Sequence, residues 1–268
     1  MRRTFRTLND CEMQHNAEVG LFTKPSRLIG VQRNHPALRK RIMKSEKIKI
    51  KVDDEVVSAV ISAPDNLNAN SKTGLIFAHG AGNDMNHPLL VSVSEGLVGH
   101  GFITLRFNFP YKEKGIKRPD SQGKLIQTWL CAYDFLKTGY TYNIHKVIAV
   151  GKSMGGRVAS QMVAEGLMDV DGLIFLGYPL HAPGKKDRLK DAHLYDIKIP
   201  VLFFSGTRDS LCDLSRLNNV LDKLTCKWDL EIVDGGDHSF KRLKCDPRTQ
   251  QDVQIQVLNK SLDWLRKY

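Results

Sequence analysis

The sequence predicts a three-layer α/β fold, a mostly parallel sheet with helices on both faces and an antiparallel hairpin at its N-terminal end. Two observations carry that prediction. From Lys47 onward, short runs of β-branched and aromatic residues alternate with helix-length amphipathic stretches. Most of these runs are apolar throughout, as strands buried on both faces must be. The first is the exception: "KIKIKVDDEVVSAVISAP" alternates apolar and polar residues around Asp53 and Asp54, the pattern of a hairpin with one face in water.

The elements follow in order. "TGLIFAHG" is a short apolar strand that stops at glycine, and residues 88–100 read as a helix. "FITLRFNF" is the next strand, followed by a basic loop and a long amphipathic helix over residues 121–138. "KVIAVG" leads through glycines into a helix from Gly156 to about Leu167, and "GLIFLGYP" and "PVLFFSG" are two further buried strands. A helix around residues 213–224, the strand "WDLEIVDG" and a helix from Asp252 to Arg266 complete the series. Only about 20 residues separate "GLIFLGYP" from "PVLFFSG", too few for a large lid domain. There is no internal repeat, so residues 43–268 read as one domain.

Composition excludes several classes. Of 268 residues, 41% are hydrophobic and 26% charged, the balance of an ordinary globular chain, and no run of 18 apolar residues exists to span a membrane. Five scattered cysteines, odd in number and never paired as CxxC, argue against a disulfide framework or zinc ribbon and for a reducing compartment, which implies the cytoplasm. The net charge is +11, but residues 1–42 hold nine Lys/Arg against three Asp/Glu, so +6 of it lies in that stretch. The rest is a modest surplus with no aromatic-studded basic motif, so no nucleic-acid partner is expected. Residues 1–42 lack periodicity and read as a basic extension, either disordered or targeting. Their Arg-rich opening "MRRTFRTL" makes mitochondrial import the alternative localisation, and Met43 is an alternative start.

The decisive stretch is "KVIAVGKSMGGRVASQ". A strand, a glycine turn and a helix can cradle a phosphate or raise a nucleophile. A P-loop ending in Gly-Lys-Ser needs its first glycine five residues before the second, but that position is Lys146, inside the strand, so no loop is left to wrap the phosphates. The same residues fit Gly-x-Ser-x-Gly as Gly151, Lys152, Ser153, Met154 and Gly155. In such an elbow the positions two before and two after the serine must be small, because the chain reverses sharply there. Ser153 would stand above the sheet beside a helix N-terminus, where the Met154 amide favours an oxyanion. The bland alternative is an ordinary strand-to-helix turn with a serine cap.

A serine needs a histidine to take its proton and a carboxylate to hold that histidine, in the chain order Ser, acid, His on this fold. Asp209 follows the strand "PVLFFSG" and His238 follows "WDLEIVDG", so order and placement agree. Asp213 competes for the acid role, Asp209 could instead cap the next helix, and Asp237 could turn the chain. The second oxyanion donor should come from the loop after an early strand; "HGAGNDMNHP" offers the Ala81 amide, with Gly82 beside it. His79 reads as structural, and His87 as either a site residue or a helix cap. No ligand spacing suggests a metal, and the chemistry requires no cofactor.

With these residues in hand, the chain resembles the α/β-hydrolase superfamily, and within it the small dienelactone-hydrolase-like group that includes testis-expressed hydrolase-like proteins. "HGAGNDMNHP", "RFNFPYKEKG", "GKSMGGR", "GYPLHAPGK", "LFFSGTRD" and "GGDHSF" stand in order where that group has similar blocks. The resemblance implies a serine esterase, thioesterase or related hydrolase with the triad Ser153, Asp209 and His238, acting on a small acyl compound. Asn108, Tyr111, Tyr178 and His181 lie in blocks that end strands, at the edge where α/β sheets bind ligands, and with Gly82 are expected to bind substrate. Rigidity of the loop is the preferred role for Pro179. The resemblance also extends to a hydrolase-like subunit of a histone acetyltransferase complex, so the alternative is a non-catalytic binding or scaffold protein with a protein partner.

Overall fold

The computed structural model describes residues 43–139 and 142–268; the basic extension, residues 1–42, lies outside the described residues. Strands β1 (Met43–Val52) and β2 (Glu55–Pro64) form the expected hairpin, closed at the Val52–Glu55 pair with Asp53 in the left-handed region at φ 53°. The other strands are β3 (Thr73–Ala78), β4 (Ile103–Phe107), β5 (Lys146–Lys152), β6 (Gly172–Leu176), β7 (Val201–Gly206) and β8 (Trp228–Val233). They make one eight-stranded sheet in the order β1-β2-β4-β3-β5-β6-β7-β8. β1 and β2 pair antiparallel, as do β2 and β4; every other pairing is parallel. On β1, the exposed Lys47, Lys49 and Lys51 alternate with the more buried Ile48, Ile50 and Val52.

Among the described residues six helices flank this sheet: α1 (Pro88–Gly99), α2 (Pro110–Glu113), α3 (Gln122–Thr138), α4 (Met154–Ala164), α5 (Leu214–Leu221) and α6 (Gln250–Lys267). Strand side chains alternate between two apolar clusters, as the period of a strand requires. Ile76, Ala149, Phe175 and Phe203 enter the cluster under α3, α4 and α5. Phe77, Val150, Leu176 and Phe204 enter the one under α1 and α6. The helices answer with matching stripes. Leu125, Thr128, Trp129, Ala132 and Leu136 of α3 recur at spacings of three and four and are all buried. Each fully buried large apolar side chain contributes about 1.5–3 kcal/mol. Among the described residues no helix is long and apolar enough to cross a membrane.

Several helix boundaries differ from the sequence reading: α5 stops at Leu221 rather than near residue 224, α6 starts at Gln250 rather than Asp252, and α4 differs at both ends. α4 begins at Met154 rather than Gly156, because the Arg157 amide already reaches the Ser153 carbonyl at 3.0 Å. It ends at Ala164 rather than Leu167, because Gly166 turns left-handed at φ 69° and the Leu167 amide closes back on the Met162 carbonyl. The stretch read as a basic loop also contains the single turn α2, which starts at a proline.

β4 and β5 flank β3 on opposite sides, so the chain changes direction along the sheet between β3 and β5. Such a point opens a crevice beyond the carboxyl ends of the strands, where doubly wound sheets bind ligands. Both glycine-rich loops singled out in the sequence end there.

Candidate active site

β5 delivers Ser153 into the crevice. The serine sits at φ 50° and ψ −114°, a strained conformation for a residue with a side chain, between strand and helix. The turn is possible only without neighbouring Cβ atoms. A Cβ on Gly151 would lie 2.1 Å from the Gly156 backbone, and one on Gly155 would lie 2.7 Å from the Ala78 carbonyl oxygen. Gly151→Ala is therefore expected to cost more than the ~1–3 kcal/mol of an overpacked core, since backbone rather than a mobile side chain blocks the methyl. Urea unfolding measures this directly; an unchanged midpoint would mean that the turn is not so tightly closed.

His238 and Asp209 reach the serine from two later loops. His238 Nε2 lies 2.8 Å from Ser153 Oγ, and His238 Nδ1 lies 2.9 Å from Asp209 Oδ2 and 3.0 Å from its Oδ1. With the carboxylate accepting the Nδ1 proton, Nε2 is left as the acceptor for the serine hydroxyl. The Asp209 side chain is 0% exposed and that of His238 19%, so the carboxylate is walled off while the imidazole touches the crevice. Asp209 Oδ1 also accepts from the Leu211 amide at 2.8 Å, which fixes the carboxylate plane.

The other residues that the sequence singled out make contacts of their own. Asp213 caps α5, accepting from the Arg216 amide and pairing with Lys186, and it does not meet the histidine. Asp237 accepts from the Ser239 and Lys241 amides and so shapes the loop that carries His238. Phe240, at φ 59°, anchors that loop in the apolar cluster beneath α1 and α6. His79 is fully buried: its Nδ1 meets the Gly80 carbonyl, its Nε2 accepts from the Phe109 amide, and burial lowers its pKa to about 4. His87 caps α1, with Nδ1 accepting from the Leu89 amide.

The loop after β3 crosses beside the serine, for a Cβ on Gly80 would lie 3.3 Å from the Ser153 Cβ. Ala81 and the exposed Gly82 follow directly. Neither the Ala81 nor the Met154 amide is a donor in the backbone hydrogen bonds of the described loops and turns. Tyr111 donates to the Ala81 carbonyl at 2.9 Å. Asn108 accepts from the Met85 amide and donates to Glu113, and buried Arg106 donates to the Met85 carbonyl.

Four residues expected to touch substrate thus have their polar atoms committed elsewhere. Asn108 and buried Tyr111 brace the loop after β3. Tyr178 is buried with its ring against Phe175 and Phe203 and its hydroxyl 3.0 Å from His193 Nε2. His181 is buried, with Nε2 accepting from the Asp213 amide and Nδ1 on the Ala182 carbonyl. The sequence placed all four at strand ends; Tyr111, Tyr178 and His181 are buried there, while Asn108 is half-buried. Sequence reasoning passed over Lys152, which is buried beside His238; a lysine closing the apolar run from Val147 to Val150 was its only signal. Among the described residues no group of three or more His, Cys, Asp or Glu side chains is arranged to hold a metal.

Solved structures share this architecture. Dienelactone hydrolase from Anabaena variabilis superposes with a TM-score of 0.68 at 21% identity, covering 84% of this chain and 98% of that one. Est1E from Butyrivibrio proteoclasticus, solved with ferulic acid bound, gives 0.66 at 17% identity over 82% and 99%. An α/β serine hydrolase without a lid from Xanthomonas campestris gives 0.65 at 17% identity over 82% and 95%. The family profile of the alpha/beta hydrolase domain matches residues 71–266, from just before β3 almost to the end of α6. With its open eight-stranded sheet, its serine turn after β5 and that match over most of its length, the chain belongs to the alpha/beta hydrolase family.

Proposed function

We propose that the protein is a serine hydrolase that cleaves an ester, thioester or related acyl bond of a small molecule. The hydrogen-bonded chain from Asp209 through His238 to Ser153 on a strained turn carries this reading. His238 takes the Ser153 proton as Oγ attacks the acyl carbon, and the buried Asp209 holds the tautomer and stabilises the imidazolium. The tetrahedral oxyanion lies between the Met154 amide, at the positive end of α4, and the Ala81 amide. A donor of this kind is worth about 3 kcal/mol. His238 then protonates the leaving group, and water attacks the acyl-serine with His238 again as base. Gly82 borders the acyl group, while Asn108, Tyr111, Tyr178 and His181 shape the walls from behind.

Residues 177–200, between β6 and β7, hold one short 3-10 helix, Ala192–Asp196, and no lid domain, so the crevice is open to small substrates. The test is labelling with a fluorophosphonate probe at neutral pH, followed by turnover of esters and acyl thioesters graded in length and charge. Labelling confined to the protein with an intact triad is expected. A folded wild-type protein that does not label would leave the scaffold reading, and affinity capture would then be used to look for a protein partner.

A further inference from the structure

Lys152 immediately precedes the serine and is itself 2% exposed. It shares the parity of Ile148 and Val150, whose side chains enter the apolar cluster beneath α1 and α6. An amine in such surroundings is unfavourable, and a methionine would fill similar space without the desolvation cost. The ammonium has one acceptor within reach among the described residues, the main-chain carbonyl of His238 at 3.3 Å. That carbonyl is also approached by Gly177 at the end of β6, where a Cβ would lie 2.9 Å from it. The other ties of this loop fall on either side of His238: the Asp237 carboxylate holds Ser239 and Lys241, and the Arg208 amide holds Gly236.

We infer that Lys152 is a positioning residue, whose side chain holds the peptide of the catalytic histidine while its backbone carries the catalytic serine. One residue then sets the separation of nucleophile and base, and an error of about 1 Å in such a separation can cost roughly 100-fold in rate. The inference rests on the triad reading. The groups facing the ammonium are His87 from the α1 terminus, Asp209 after β7, and Asp237 and Lys241 after β8. Burial, assisted by Lys152 and Lys241, lowers the His87 pKa to about 4, so His87 is neutral near pH 7. Burial also lowers the Lys152 pKa to about 8, against the opposing pull of Asp209 and Asp237. Below that pH the bond to His238 is charge-assisted; above it, the neutral amine donates only weakly.

The measurement is the rate of fluorophosphonate labelling as a function of pH for wild type, Lys152→Met and Lys152→Arg, with thermal unfolding of each. Wild type is expected to lose rate with a midpoint near pH 8. Lys152→Met is expected to unfold no earlier than wild type, to label roughly 10- to 100-fold more slowly at pH 7, and to lack the step. The loss should fall in the limiting rate, not in the half-saturating probe concentration. Lys152→Arg, which keeps its charge throughout, should recover part of the rate and also lack the step. A wild-type profile flat through pH 8, or a methionine variant that labels at the wild-type rate, overturns the inference while leaving the triad intact. Wild type that fails to label at all overturns the triad reading, and the role of Lys152 with it.

Discussion

Ser153→Ala is expected to abolish fluorophosphonate labelling and to lower kcat on any accepted ester by a factor on the order of 10⁶. The hydroxyl is the only atom removed, and its side-chain partner is His238 Nε2, so the fold should be untouched. His238→Ala should lose about as much, because neither group accelerates the reaction without the other. The double variant is the sharper measurement: as a unit, the pair should be no slower together than either alone. A residual rate of about 10³–10⁴ over water, from the amides near the oxyanion and from binding, would remain in all three. Full additivity of the two losses would mean that Ser153 and His238 act separately, and the 2.8 Å contact between them would have no catalytic meaning.

Asp209→Asn is expected to lower kcat by about 10⁴ while leaving stability nearly unchanged. The carboxylate accepts from the histidine and from the Leu211 amide; an asparagine can keep the second bond with its carbonyl. Its amide group would then face Nδ1 as a donor. That favours the tautomer with the proton on Nε2, where it points at Ser153 and blocks proton abstraction. Asp213→Asn is the control. It loses an exposed ion pair with Lys186, worth at most about 1 kcal/mol, but retains a good helix cap and should keep its rate. Steady-state kinetics on both variants separates the assignments, because an inactive Asp213→Asn beside an active Asp209→Asn would exchange the two roles.

The strands and the serine turn were legible because local rules govern them. Apolar runs such as "GLIFLGYP" and "PVLFFSG" announce strands buried on both faces, and only glycine tolerates the approach of Gly151 to Gly156. The sequence named Asp209 for the acid, with Asp213 as its competitor, and no local rule decided between them. Both lie just beyond β7, and what separates them is a contact to His238, 29 residues further along the chain. The wall residues were half legible: Tyr178 and His181 do end β6 near the crevice, but the aromatic cluster and the Asp213 amide decide which way they face. Lys152 escaped for the same reason. Its sequence position names a strand end, while its meaning lies in a carbonyl 86 residues away.

The lysines of β1 matter for what the sheet does not do. β1 ends the strand order, so its outer edge has no neighbouring strand among the described residues. An open edge is a template on which a second copy of the chain can add. Lys47, Lys49 and Lys51 recur at every second residue, so an antiparallel copy would set its own lysines opposite theirs, with Cβ atoms about 5 Å apart, where like charges repel. Part of the positive charge of this chain thus acts as a stop signal against further strand addition at the outer edge of β1.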